Sequence, residues 1–162
     1  MAHSVKVLPQ FELTILGYSG RLSAADFDGV WNALATNKES RVEFDDIAVL
    51  APDADYSDVA YEISMAQAER YVRAHRPPNL CVPKRSAFLC ANEMQATMAR
   101  MFAAFVQVSG CTNVQILAFT SLQSTIAWFE REKSGRPIID MKLVRAMLIE
   151  MGHGWCARSI AA

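Results

Sequence analysis

A histidine and a cysteine near the carboxyl end are the first pair of side chains that could do chemistry. His153 lies three residues before Cys156, in the segment Gly-His-Gly-Trp-Cys. This spacing would suit a nucleophile beside a base, or two ligands of a metal ion. No second pair of ligands accompanies them in the sequence. We therefore predict a flexible tail here, with no catalytic residue and no metal site.

Two groups of carboxylates could bind a cation or supply an acid and a base. The turn with Asp53, Asp55 and Asp58 lacks the central glycine and the closing glutamate of a calcium loop. Because carboxylates are favoured at a helix start, a solvated cluster is predicted there. The adjacent residues Asp45 and Asp46 would point to opposite faces of a strand. A turn or a bulge is predicted for this pair.

Basic residues gather at the end of a predicted helix. His75 lies close to Arg73 and Arg76, where positive charge complements the helix dipole, so a surface cap is predicted. Together with Arg70, these arginines could also hold an anion. The segment 17–20, Gly-Tyr-Ser-Gly, is not a phosphate loop, because the lysine and the following Ser or Thr are missing. The sequence thus contains no complete nucleotide-binding motif.

One predicted helix carries large apolar side chains at helical spacing. They are Met94, Met98, Met101, Phe102 and Phe105. The pattern predicts one stripe that faces a core. Since methionine also adapts to irregular partners, the same helix could instead line a ligand pocket or meet a second protein. These five residues are the candidate binding residues.

The elements that would position these side chains alternate between strands and helices. A strand–helix–strand–helix unit is predicted from Ser86 to Glu130, with strands near 87–91 and 114–119. Asn92 is predicted to cap the helix between them and Gly110 to end it. Two strands joined by a helix should lie parallel, with the helix packed on the sheet.

The rest of the chain continues this alternation. A strand is predicted over Phe11 to Tyr18, and a helix that begins at Ser23 with a capping box follows it. Residues 41–51 should contain one strand or two. A second helix is predicted from Ser57 to Ala74 with Ser57 as its N-cap, and an amphipathic helix from Met141 to Met151. The prediction is an α/β sheet covered by helices.

Composition narrows the classes of protein that fit. The 162 residues are 52% hydrophobic and 20% charged, and the net charge is −1. This suits one globular domain and gives no electrostatic reason to expect nucleic acid as a partner. No stretch approaches the ~20 apolar residues that cross a bilayer, and the N-terminus lacks the features of a signal peptide. The four cysteines show no paired spacing, so a cytoplasmic protein with reduced cysteines and no cofactor is predicted.

Several segments of the chain carry a resemblance to a known family. They are GYSGRLSAADF at 17–27, AFLCA at 87–91, MARMFAAF at 98–105, VQILAF at 114–119 and AWFE at 127–130. Together they resemble the SpoIIAA-like family of small bacterial proteins, which share a STAS-type fold. The resemblance implies a mixed sheet of four or five strands packed with helices within residues 1–134. Residues 135–162 would then be a C-terminal helical extension packed on the same domain.

The resemblance also implies kinship with anti-sigma-factor antagonists, which act by binding a partner kinase or an anti-sigma protein. Those antagonists carry a phosphorylatable serine in a Ser-Ser-Gly turn, whereas the matching segment here has Ser57 without that turn. Asp53, Asp55 and Asp58 would repel an added phosphate. Ser57 is therefore named as the phosphorylation candidate but is predicted to cap a helix instead.

The function predicted from these observations is a non-catalytic regulatory or protein-interaction module. We expect it to form a homodimer, with the helix of residues 141–151 as the candidate contact, and to have a regulatory protein as a further partner. The alternative is a binding protein for a small apolar or lipid-like ligand held between the sheet and the methionine-rich helices. An enzyme, with His153 and Cys156 as its only local argument, is not predicted.

Overall fold

The structure, a computed structural model, describes residues 2–157 of the chain. The strands are β1 (His3–Leu8), β2 (Leu13–Tyr18), β3 (Asp45–Leu50), β4 (Lys84–Cys90) and β5 (Val114–Phe119). They form one sheet in chain order, in which β1 is antiparallel to β2 and the other neighbours are parallel. The predicted α/β class, a mixed sheet packed with helices, is confirmed, and the number of strands is five.

Helices connect the parallel strands and continue after the last one. They are α1 (Ala24–Thr36), α2 (Tyr61–His75), α3 (Glu93–Val108), α4 (Leu122–Trp128), α5 (Arg131–Ser134) and α6 (Met141–Glu150). Short 3-10 helices occupy Pro9–Phe11 and Gly154–Ala157. The parallel pair β4 and β5, joined by α3, is the crossover unit that the sequence predicts around residues 86–130.

The two faces of the sheet are covered by different helices. Ile47 and Val49 of β3 belong to the same buried cluster as Leu148 of α6. Leu50, the next residue of the strand, instead packs in a cluster with Ala99 of α3. Because successive side chains of a strand point to opposite faces, α3 and α6 lie on opposite sides of the sheet. The fold therefore has three layers, with the sheet in the middle.

The first strand is absent from the sequence predictions. β1 lies at the edge of the sheet and pairs only with β2. Most of its residues are only half-buried, and Ser4 and Lys6 interrupt its short apolar pattern. β2 itself begins at Leu13 rather than Phe11, because Pro9–Phe11 forms a 3-10 turn between the two strands. An edge strand of this kind gives a weak periodic signal.

Helix α2 begins at Tyr61, later than the sequence predicts. Ser57 lies in the preceding turn, where its backbone N–H and its hydroxyl donate to the Asp55 carboxylate at 2.9 and 2.6 Å. The same turn is held by an ion pair between Arg21 and Asp58. The N-cap position of α2 is Ala60, so the predicted N-cap role of Ser57 is wrong.

The C-terminal helix α6 helps to form the core. Val144 and Leu148 are fully buried in the cluster that contains β2, β3 and β4 residues. The apolar side of α6 therefore packs on the sheet. A dimer contact at α6, as predicted, would have only its outer residues, such as Ile149 with 56% of its surface exposed.

The segment after α6 is not the predicted flexible tail within the described residues. His153 and Cys156 are 2% and 1% exposed, and Gly154–Ala157 forms a 3-10 turn. The His153 ring packs on the backbone of Gly17 in β2, where a side chain would leave it no room. The rest of the predicted tail, residues 158–162, lies outside the part of the chain that the structure describes.

A side chain at Gly17 should weaken this packing. A Cβ there would overlap Nε2 of His153 and lie 2.5 Å from Oγ of Ser4. We expect Gly17→Ala to lower the free energy of unfolding by about 1–3 kcal/mol in urea titrations. Gly154→Ala is the matched control, because its Cβ would meet only Cγ1 of Ile149, at 3.9 Å. Equal stability of the two variants would contradict this packing.

Candidate functional site

Helix α3 is fixed to the sheet by polar contacts at its first turn. The Asn92 side chain accepts a hydrogen bond from the Gln95 backbone N–H at 3.0 Å, which confirms the predicted cap. The buried Gln95 side chain accepts from the Ala91 N–H and donates to the Ala51 carbonyl, both at 2.8 Å. These bonds tie the start of α3 to the carboxyl ends of β3 and β4, so the orientation of the helix is set.

The buried side of α3 consists mainly of small residues. Ala96, Ala99 and Ala103 face the sheet together with Val106. Phe102 is half-buried beside them and makes edge contacts with Tyr71 and Phe88, at ring distances of 5.5 and 5.7 Å. Small side chains let the helix lie close to the strands. The interface between α3 and the sheet is thus filled without the methionines.

The methionines of α3 point to the solvent. Met94 and Met101 are 76% and 64% exposed, Met98 is 37% exposed, and Val108 at the end of the helix is 83% exposed. The prediction that the methionine stripe faces a core is therefore wrong. The reason is that α3 is apolar on two sides, and the side with small residues is the one that packs on the sheet.

The outward apolar side chains of α3 form a continuous seam, which we call the α3 stripe. It consists of Met94, Met98, Met101, Phe105 and Val108, of which Phe105 is half-buried. Its spacings alternate between four and three residues, which is the spacing that pairs two helices along a seam. Exposed apolar patches of this kind mark interaction surfaces. The α3 stripe is the candidate functional site.

Asp45 is not part of a turn but opens strand β3, where it is buried. Its carboxylate lies 3.2 Å from Arg131 Nη2 and 3.6 Å from Arg136 Nη1, and it accepts the Arg85 backbone N–H at 2.7 Å. Burial raises the pKa of this carboxyl group, while the Arg85 N–H and the two arginines oppose the shift. The predicted turn or bulge is wrong, and Asp45 instead binds the chain after α4 to the sheet.

Asp46, the next residue, anchors a second buried group on the other face. Its carboxylate lies 2.8 Å from Nζ of Lys84 and accepts the Ser86 hydroxyl. The same Nζ is 3.1 Å from Nε2 of His75, whose Nδ1 is 2.9 Å from the Tyr71 carbonyl oxygen. His75 is only 5% exposed, so the predicted surface cap is wrong.

The hydrogen bonds of His75 define its protonation. Nδ1–H donates to the Tyr71 carbonyl, so Nε2 accepts from the Lys84 ammonium. Burial and the adjacent positive charge lower the pKa of His75 to about 4. The imidazole is therefore neutral at pH 7. Because Asp46, Lys84 and His75 are all less than 10% exposed, this group stabilises the fold and offers no access to a substrate.

His153 and Cys156, the two residues that suggested an enzyme, are both buried. The Cys156 thiol donates to the backbone carbonyl of His153 at 2.8 Å. Burial raises the pKa of that thiol to about 11, so it is protonated at neutral pH and a poor nucleophile. Within residues 2–157 no group of three metal-ligating side chains could hold a metal ion.

Arg70 of the predicted anion site and Ser57, the phosphorylation candidate, both form contacts with nearby side chains. Arg70, one of the three arginines of the predicted anion site, pairs with Asp28 at 2.8 Å and lies over the Trp31 ring. Ser57, the phosphorylation candidate, is exposed and bonded to Asp55, whose pKa is lowered chiefly by that bond. Neither the arginine group nor Ser57 is brought next to the α3 stripe by a described contact.

Comparisons with protein-family models, curated proteins and solved structures found no match for this chain. Membership of the SpoIIAA-like family therefore stays a prediction. Between residues 2 and 157 no helix is both long and apolar enough to cross a membrane.

Removal of the Asp46 carboxylate should destabilise the protein strongly. Asp46→Asn would leave the buried Lys84 ammonium without a counter-charge, and we expect a loss of about 3 kcal/mol in the free energy of unfolding. Lys84→Met in the same chain should recover part of this loss, because the unpaired charge is removed. Asp28→Asn, which breaks an exposed pair with Arg70, is the control and should cost less than about 1 kcal/mol. Similar losses in both single variants would contradict the assignment.

The buried neutral His75 predicts how stability depends on pH. The unfolded chain takes up a proton near the usual histidine pKa of 6.5, whereas the folded chain does so only near about 4. The free energy of unfolding should therefore fall as the pH is lowered from 6.5 towards 4. His75→Gln should reduce this slope, and part should remain because burial also lowers the pKa of His153. An unchanged slope in urea titrations would argue against this role of His75.

Proposed function

We propose that this protein is a non-catalytic interaction module that forms a homodimer through the α3 stripe. The observation that carries the proposal is the exposed apolar seam with alternating spacings of four and three residues. Isolated apolar side chains are common on protein surfaces. Packing among residues 2–157 does not explain a row that runs from Met94 to Val108 along the whole length of one helix.

The charges of α3 favour a second copy of the same chain as the partner. Glu93 and Arg100 form an ion pair within the helix at 2.8 Å, so the helix has no net charge. A neutral surface does not select a strongly acidic or basic partner. The α3 stripe is also self-complementary. If two α3 helices packed antiparallel about a two-fold axis near Met101, Met94 of one copy would lie beside Val108 of the other. Antiparallel helices also align their dipoles favourably.

The shape of α3 also suits close contact with another helix. Thr97 and Ala104 lie beside the seam and are small, so they would let a second helix approach to about 8–10 Å between axes. The methionines can adjust to the facing surface. A regulatory protein partner, as expected from the family resemblance, would meet the same stripe and would compete with the dimer. A regulatory role of the SpoIIAA-like type and a cytoplasmic location belong to this proposal.

A small apolar or lipid-like ligand between the sheet and the methionine-bearing helices stays a prediction. The contacts of α3 do not favour it, because alanines rather than methionines face the strands.

A lysine in the middle of the α3 stripe should dissociate the dimer. Met101→Lys would place two ammonium groups near each other at the two-fold axis, in an apolar contact. We expect the native chain to elute as a dimer in size-exclusion chromatography with light scattering, and the variant as a monomer. At concentrations where both chains are monomers, the variant should melt close to the native chain, since the Met101 side chain is 64% exposed.

Val82→Lys is the matched control, because Val82 is also exposed, at 45%, and lies in the loop before β4. This variant should remain dimeric. A monomeric native chain, or a dimer that Met101→Lys leaves intact, would overturn the proposal.

A further inference from the structure

A second surface feature lies at the carboxyl ends of β2 and β3. The chain forms a cleft of about 580 Å³ there, which we call the β2–β3 cleft. It is lined by Ser19, Ala51, Pro52, Asp53, Ile149, Gly152, Gly154 and Trp155. In open α/β sheets ligands bind outside the carboxyl ends of parallel strands. The cleft is shallow and open to the solvent, so a ligand would contact it on one side.

The charge of this cleft is negative. Asp53 is its one charged lining residue, and within residues 2–157 this carboxylate has no hydrogen bond or ion pair. The other carboxylates of the same turn are engaged, Asp55 with Ser57 and Asp58 with Arg21. Among residues 2–157 the lining contains no lysine, arginine or histidine. An anion is therefore disfavoured and a cation is favoured.

His153 interacts electrostatically with Asp53 but does not give the cleft a positive charge. Burial lowers the pKa of His153, although Asp53 opposes the shift. The ring is 2% exposed and packs behind the cleft on Gly17, so it is neutral at pH 7. Within the part of the chain that the structure describes, no positive side chain therefore neutralises Asp53.

The remaining wall of the cleft is apolar and includes an aromatic ring. The indole Nε1 of Trp155 is buried and has no hydrogen-bond partner among the described residues, so any indole surface in the cleft is carbon. Ile149 is 56% exposed, and Pro52 is exposed beside it. Cations bearing methyl or methylene groups are attracted to the face of tryptophan, and a carboxylate adds to the attraction when it lies close by.

We propose that the β2–β3 cleft binds a small organic ammonium ion. Asp53 supplies the counter-charge, Trp155 supplies an aromatic surface, and Ile149 and Pro52 contact the apolar part of the ligand. The described residues give the cleft one carboxylate and no cluster of metal-ligating side chains, so a bare metal ion is not the expected occupant.

The test uses choline chloride and its uncharged isostere 3,3-dimethylbutan-1-ol, titrated into the full chain by calorimetry, with sodium chloride to match ionic strength. We expect saturable binding of choline and binding of the isostere that is at least about tenfold weaker. Asp53→Asn should weaken choline binding by about tenfold and should fold normally, because Asp53 is exposed. Asp28→Asn, a carboxylate on α1, should bind choline like the native chain.

Met101→Lys should also bind choline like the native chain, since the α3 stripe lies elsewhere on the fold. Failure of the dimer proposal would therefore leave this result unchanged. Equal binding of choline and its isostere, no saturable binding of choline, or unchanged binding by Asp53→Asn would each overturn the ammonium site.

Discussion

Two adjacent carboxylates at the start of β3 hold the layers of this fold together. Because neighbouring residues of a strand face opposite sides, Asp45 and Asp46 each supply a negative charge to one face of the same sheet. Asp45 binds Arg131 and Arg136, which lie just before α6. Asp46 binds Lys84 at the start of β4. Both connections are long-range, so the two faces are tied at the amino end of the parallel strands.

The cleft at the opposite end of the strands and the outer side of α3 are the two surfaces for which binding is proposed. Gln95 fixes the start of α3 to the Ala51 carbonyl after β3, and the alanines of α3 then complete the packing on the sheet. The larger apolar residues of that helix are consequently turned outward. At the same end of the sheet, Asp53 follows Ala51 closely and lines the β2–β3 cleft. The polar anchors thus leave exposed the two surfaces that are proposed to bind other molecules.

Local sequence signals predict local structure well in this chain. The Asn92 cap and the capping box of Ser23 with Asp26 are both present, because each depends on residues three apart. The sequence does not show which distant residue a charged side chain pairs with. Asp46 and Lys84 are 38 positions apart, and an Asp-Asp pair with no known partner is typical of a turn. The helical periodicity of α3 predicts its apolar residues. It does not show whether the alanine side or the methionine side packs on the sheet. Only packing, in which alanines fit more closely, decides that the methionines face outward.

The central claim is that the α3 stripe joins two copies of this chain. It is tested most directly by isotope-filtered NMR on a mixture of ¹³C-labelled and unlabelled protein, which detects contacts between copies alone. The account predicts nuclear Overhauser effects between copies that involve the methyl groups of Met94, Met101 and Val108. Contacts between copies that map only to other surfaces, or none at concentrations where the chain is dimeric, would contradict it.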